Sequence, residues 1–211
     1  IPYNATKDSS RKYIREALLE KKIDPTTDEL TQIVNAVYQS MDTIVPGPMQ
    51  VMRWIKKHVG LYIRNGAKEV EWVTPSGFTV NQKRDDIETQ IMELQLLGRT
   101  QVRIPTGKTT PSPTKHKSST APNYIHSFDA SILHRSFNHF DEPFTVIHDS
   151  VLCRAGDMGT LNRLVRETYT NIFSEECWLS KFAETINASE PPPIVGTLDP
   201  KVVSNSTYFF C

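Results

Sequence analysis

Several absences narrow this 211-residue chain before any motif does. Cysteine is scarce: Cys153, Cys177 and Cys211 are an odd number, widely spaced, with no CxxC. That suits a reducing compartment and argues against a disulfide framework or a structural zinc. Charge of one sign is not in excess, since 24 basic residues face 24 acidic ones. The overall basicity usual in a nucleic-acid binder is therefore missing, and such binding would have to come from local clusters. No apolar run approaches the ~20 residues of a membrane span, and no signal peptide is visible. There is no internal repeat, no Walker-type or GxGxxG glycine loop, no HExxH and no GxSxG. The six histidines do not pair at metal-ligand spacing.

What is present reads as alternating helices and hairpins, an α+β pattern. A helix is expected from about Ser9 to Lys22, capped by Asp8 or Ser9, with Tyr13, Ala17 and Leu18 as its apolar stripe. Thr26 and Glu29 have capping-box spacing and open a second helix whose Leu30, Ile33, Val34, Val37, Met41 and Ile44 recur at helical intervals. Pro46-Gly47 ends it, and Pro48 opens a third helix to about Tyr62. Arg53, Lys56 and Lys57 share one side of that helix, either as a phosphate-contacting patch or as an ordinary solvated face.

The period then switches to two. Residues 70–74 and 78–81 read as a hairpin around Pro75-Ser76-Gly77. A second extended pair, 89–97 and 99–104, would bend at Gly98. Arg99, Gln101 and Arg103 alternate there, so they share a face suited to reading base edges, or simply form a polar outer surface. From Pro105 to Pro122 a Thr/Ser/Pro/Lys-rich loop is expected, with Lys108, Lys115, His116 and Lys117 as phosphate contacts. A helix from Ala121 to about Phe140 has Ile125, Phe128, Ile132 and Phe137 as much of its apolar character, with His126 and Asp129 one turn apart on a more polar side. Helices over 157–173 and 178–186 follow, and after Pro191-Pro192-Pro193 comes an aromatic tail expected to pack back on the body.

Between these helices lies Phe144-Thr145-Val146-Ile147-His148-Asp149-Ser150-Val151-Leu152, a strand, a tight turn and a returning strand. Aspartate is common in turns. Equally, a carboxylate on a rigid hairpin tip is how a metal site is held.

In order and spacing, Pro122-Asn123-Tyr124-Ile125-His126-Ser127-Phe128-Asp129-Ala130-Ser131 followed by His148-Asp149-Ser150 resembles the palm of the single-subunit RNA polymerases of phages and mitochondria. The family reads PNxxHSxDxS on a helix, then HDS at a hairpin tip. Trp72-Val73-Thr74-Pro75-Ser76-Gly77-Phe78 is similar to its WVTPxGFPV hairpin, Val165-Arg166-Glu167-Thr168 to a palm helix, and residues 206–211 to its aromatic C-terminus. Pro2-Tyr3-Asn4 resembles the end of the fingers helix, where the family has Tyr-Gly.

The resemblance implies a fragment of the right-hand polymerase fold. It divides into fingers-side helices and hairpin (1–83), a promoter-reading hairpin and loop (84–118), the palm (119–190) and a returning tail (191–211). It implies DNA-directed RNA synthesis with two Mg2+ ions, roughly 3.5–4 Å apart in such chemistry. Asp149 would be one metal-binding aspartate, His148 its support, and His126 would face the growing RNA end. Tyr3 would lie beside the incoming nucleotide, and Arg99, Gln101, Arg103, Arg53 and Lys57 would contact DNA. The family's other aspartate and its triphosphate-gripping Lys and Arg match nothing here. The resemblance therefore implies a second polypeptide that supplies them, as in phages that split the enzyme, and the start at Ile1 suits such a split. Template DNA, nascent RNA and ribonucleoside triphosphates are implied as partners, with an accessory DNA-binding protein to offset the neutral charge. The implied location is the cytoplasm of an infected host, or alternatively a mitochondrion. Other readings are a non-catalytic subunit on a degenerate palm, and a DNA polymerase fragment. The related DNA polymerases carry HDE, against which Ser150 argues.

Overall fold

The computed structural model describes residues 6–95, 98, 100–193 and 196–209. Tyr3 and Arg99 lie outside the described residues, as do Phe210 and Cys211 at the tail's end.

Among the described residues there are six α-helices and three separate two-stranded antiparallel hairpins: three helices, two hairpins, a fourth helix, the third hairpin and two further helices. Helix α1 (Lys7–Glu20) is capped by Thr6, whose hydroxyl accepts from the Ser9 amide at 3.2 Å, rather than by Asp8 or Ser9. Its expected apolar stripe is not buried: Tyr13 is exposed, and Ser10 is the residue that packs inward, bonded to the Tyr38 hydroxyl. Helix α2 (Thr27–Ile44) opens with the expected reciprocal capping box between Thr26 and Glu29. Helix α3 (Pro46–Arg64) buries Trp54, Ile55, Val59 and Ile63 on one face.

The main core forms where α3 meets the first hairpin and the long helix α4 (Pro113–Phe137). The hairpin, β1 (Val70–Val73) and β2 (Thr79–Gln82), turns Val70 and Trp72 inward. Trp72 reaches Ser127 of α4 with its indole N–H at 3.0 Å. Tyr124 of α4 donates its hydroxyl to the Trp178 carbonyl at 2.9 Å, and burial pushes its pKa well up. Helices α5 (Met158–Glu175) and α6 (Trp178–Thr185) close this core with Ile172 and Phe182. A smaller cluster of Phe140, Leu161, Leu164 and Val165 lies under the last hairpin.

The expected loop from Pro105 to Pro122 does not exist. Strands β3 (Asp85–Leu94) and β4 (Thr100–Pro111) form a ribbon far longer than predicted, and α4 begins two residues later. Ribbon strands of this length reach roughly 30 Å, and nearly all their residues are exposed. The register shifts between Ile87 and Thr89, where Thr106, Gly107 and Lys108 are accommodated in β4. Gly107 sits there at φ 80°, a conformation glycine adopts without side-chain strain.

Helix α4 also runs straight through Pro122, which reads in sequence as a helix start. Proline there removes one backbone hydrogen bond. Contacts of the preceding two turns offset it: His116 and Thr120 are fully buried, and Lys117 packs over Gly60 of α3. His116 is therefore a core residue and not a phosphate contact. Within α4 the inward residues are Ala121, Tyr124 and Phe128, whereas Ile125, one of its apolar residues by sequence, is exposed.

Candidate active site

Strands β5 (Phe144–Ile147) and β6 (Ser150–Cys153) pair Ile147 directly with Ser150, leaving His148 and Asp149 as a two-residue turn. Such turns call for positive φ at the first central residue. His148 meets that requirement at φ 57°, a left-handed conformation that L-residues adopt at a cost of order 1–3 kcal/mol. Strain of this kind persists where surrounding structure imposes it. Here the hairpin is anchored at its base, where Phe144 stacks on Phe137 of α4 with ring centroids 3.9 Å apart. Val151 and Cys153 rest on the smaller core. The turn is thus held by α4 on one side and α5 on the other.

Asp149 joins two clefts. One, of about 360 Å³, is lined by His126, Asp129 and Ala130 of α4 with His148 and Asp149 of the turn. The other, of about 520 Å³, runs from Asp129 and Asp149 over Met158, Leu161 and Val165 of α5 to Phe209 of the tail. The site residues expected from the palm motifs, His126, His148 and Asp149, are therefore brought together.

Asp129 completes this group and was not singled out for a role from sequence. Its signal was available: it lies three residues after His126, on the same helix face. Its carboxyl is pushed above the usual range, first by desolvation and then by the charge of Asp149, while His126 pulls it down. Two carboxylates sharing a cleft favour a proton or a cation between them. Among the described residues, no group of three or more His, Cys, Asp or Glu is arranged to hold a metal. Asp149 offers one oxygen-donor side chain at the tip and Asp129 a second at the cleft wall, so the donor set for two cations is incomplete within these residues.

The tail's last described residue reaches this site. A 3-10 turn (Pro200–Asn205) docks on α5, Phe209 packs edge-on against Tyr169 at 4.9 Å, and Arg166 lies over the Phe209 ring at 5.5 Å. Tyr208 points into solvent.

The other expected contacts lie away from the clefts. Gln101 and Arg103 sit on β4, with Gln101 donating across the ribbon to Glu93 at 3.2 Å. Arg53 is paired with Asp42 at 2.6 Å, and Lys57 with Glu190 at 2.7 Å. Trp54 and His58, expected beside that patch, are buried and face one another at 4.8 Å.

A strained hairpin thus presents an acid to a helix-borne histidine and acid across one cleft. The sequence matches the DNA-dependent RNA polymerase family over residues 1–195, and the chain belongs to that family. It is 27% identical to the DNA-directed RNA polymerase of Pseudomonas phage phiKMV over 86% of the chain and 22% of that protein. With T7 RNA polymerase of Escherichia phage T7 it shares 28% identity over 93% of the chain and 27% of the relative. With the human mitochondrial DNA-directed RNA polymerase it shares 26% over 100% of the chain and 19% of the relative. The chain is a part of a single-subunit phage-type polymerase and spans about a quarter or less of these relatives' length.

Proposed function

We propose that this chain is the palm-bearing portion of a DNA-directed RNA polymerase and that Asp149 supplies one of the two aspartates of its nucleotidyl-transfer centre. The observation that carries this reading is the placement of Asp149 on a strained turn facing Asp129 and His126 across a single cleft. Hard oxygen donors of this kind suit Mg2+, and the ions, when bound, stabilise charge on the attacking and leaving oxygens. His148 fixes the turn, and His126 faces the RNA end. Tyr3 reads the incoming ribonucleoside triphosphate. The ribbon, through Gln101, Arg103 and Arg99, reads template DNA, with Arg53 and Lys57 as auxiliary phosphate contacts. Their present ion pairs are exposed ones of the kind worth about 0–1 kcal/mol, so they can be exchanged for phosphate.

The missing aspartate and the triphosphate-gripping Lys and Arg come from polymerase sequence outside these 211 residues. We infer a second polypeptide as their source, with an accessory DNA-binding protein assisting on duplex templates. The host-cell cytoplasm, or a mitochondrion, is the expected place of action.

The test is Mg2+-dependent RNA synthesis on single-stranded and promoter templates, with the chain alone and with its co-purifying partner. Activity is expected only for the assembled pair and is expected to vanish on Asp149→Ala, with the fold checked by circular dichroism. Synthesis by the chain alone would refute the incomplete site, and full activity of the assembled Asp149→Ala enzyme would refute the role of Asp149.

A further inference from the structure

The β3–β4 ribbon leaves the body at Arg84, the residue just before β3, and both peptide groups of Arg84 are gripped by the start of α4. Its carbonyl accepts from the Ser112 amide at 2.8 Å. Its N–H donates to Nε2 of His116 at 3.2 Å. The His116 ring is fully buried, and its Nδ1 lies 3.4 Å from the amide nitrogen of Gln82, at the end of β2. That amide nitrogen donates to the Thr120 hydroxyl at 2.7 Å, and the Gln82 oxygen accepts from Asn123 at 2.7 Å. The ring therefore joins the root of the ribbon to the first turns of the helix that carries His126 and Asp129, beside Gln82, which Thr120 and Asn123 of the same helix hold.

We propose that neutral His116 is a positioning residue that fixes the angle of the ribbon on α4, and that protonation of the ring unfastens it. A neutral imidazole has a single acceptor nitrogen, and an imidazolium has none. The shorter contact assigns that acceptor to Nε2, so the ring proton sits on Nδ1 and the 3.4 Å approach of the Gln82 amide nitrogen is a packing contact and not a hydrogen bond. Protonation would set an N–H at Nε2 directly against the N–H of Arg84, leaving a buried donor without an acceptor. The charges around the ring are Arg84 and Asp85 from the ribbon's root and the Asp86–Lys115 ion pair at 2.9 Å beside it. Lys83 pairs with Asp85 at 3.6 Å, and Lys117 and Lys56 lie where α4 meets α3. Asp85 Oδ1 is buried without a hydrogen-bond partner among the described residues and offers an acceptor to a displaced imidazolium.

Burial depresses the His116 pKa, Asp85 opposes this, and Arg84 reinforces it. The fastened state thus binds the proton less readily than the released state. Fastening is complete above the ordinary histidine value of about 6.5 and is lost as pH falls below it.

The latch rests on this geometry alone, whereas its use in reading template rests on the proposed function. The test is amide hydrogen exchange of the chain by NMR, from about pH 7.5 to about pH 5 and corrected for intrinsic rates. Protection of the Arg84 amide is expected to fall roughly fivefold to tenfold toward acid, the loss of one buried hydrogen bond. In His116→Gln, whose side-chain oxygen accepts in place of Nε2 and does not titrate, Arg84 should stay protected throughout. His116→Leu, if it folds, should lack that protection at every pH. Unchanged Arg84 protection in the natural chain, or an equal acid loss in His116→Gln, would overturn the proposal. In the assembled polymerase, template selectivity should loosen toward acid with the natural chain and not with His116→Gln. Selectivity that ignores a latch seen to open by exchange would count against the ribbon as template reader and not against the latch.

Discussion

Replacing Arg166 by Met should release the C-terminal tail from α5 and withdraw Phe209 from the cleft it shares with Asp149. Nη1 of Arg166 meets the carbonyls of Val203 and Ser206 at 2.5 and 2.8 Å and the Ser206 hydroxyl at 3.0 Å. Nε is held by Asn162 at 2.8 Å, and the guanidinium lies over Phe209. Hydrogen bonds to a charged group are worth about 1.5–3 kcal/mol. With one nitrogen shared among three acceptors at a half-buried site, about 2 kcal/mol is reasonable, and the cation–π contact adds about 0.5–1 kcal/mol. The competing anchor is Val203, the buried residue of the 3-10 turn. Its truncation to Ala removes two methylene equivalents, about 1.6 kcal/mol. The arginine should therefore dominate.

Hydrogen exchange at Val202 and Ser206, whose amides bond within the turn, reads this directly. Arg166→Met should cost roughly a hundredfold in protection and Val203→Ala roughly tenfold. A loss on Arg166→Met no larger than on Val203→Ala would refute the reasoning and make the tail an apolar attachment.

Phe182→Ala should destabilise the chain by about 3–5 kcal/mol, because its fully buried ring meets both Trp72 and Tyr124. Urea denaturation should show a lower midpoint at unchanged slope. Tyr124→Phe should cost about 1 kcal/mol by the same measurement, since it leaves the Trp178 carbonyl without its donor. The Glu29 carboxyl is held below its usual range, first by the Thr26 amide and then by the Thr26 hydroxyl. The start of α2 should therefore be secure above the free carboxylate's pKa and fray as pH falls through the lowered one, seen as an acid-dependent loss of protection at Leu30 that Glu29→Gln removes.

The helices with regular apolar spacing were legible because each carried its own punctuation: Thr26 and Glu29 at the start of α2, and Pro48 in the first turn of α3, which begins at Pro46, a residue read as the end of α2. The β5–β6 hairpin was legible because β-favouring residues end abruptly at a His-Asp pair. The stretch from Pro105 to Pro122 misled because its composition is that of a loop. Ribbon strands exposed on both faces need no apolar alternation, and the first turns of α4 are fixed by distant partners, Gln82, Arg84 and Gly60, which local pattern does not reveal. Tyr13 and Ile125 belong to the apolar residues of α1 and α4 by sequence, yet both are exposed because these helices present other faces to their neighbours. Asp129 was visible as a polar residue one turn from His126. Its place beside Asp149 required the fold, because only the hairpin's return brings the two carboxylates to one cleft.

The ribbon has a mechanical consequence. It is a lever with its fulcrum at one peptide unit, Arg84. Over roughly 30 Å, a rotation of about 10° at the root carries the tip about 5 Å, more than the ~3.4 Å rise from one base pair to the next. If the ribbon reads template as proposed, slackening by so little would bring its tip to a neighbouring base pair instead of the intended one. On that reading the tolerance for misreading is set far from the nucleic acid, by how stiffly a single buried ring holds a single backbone amide.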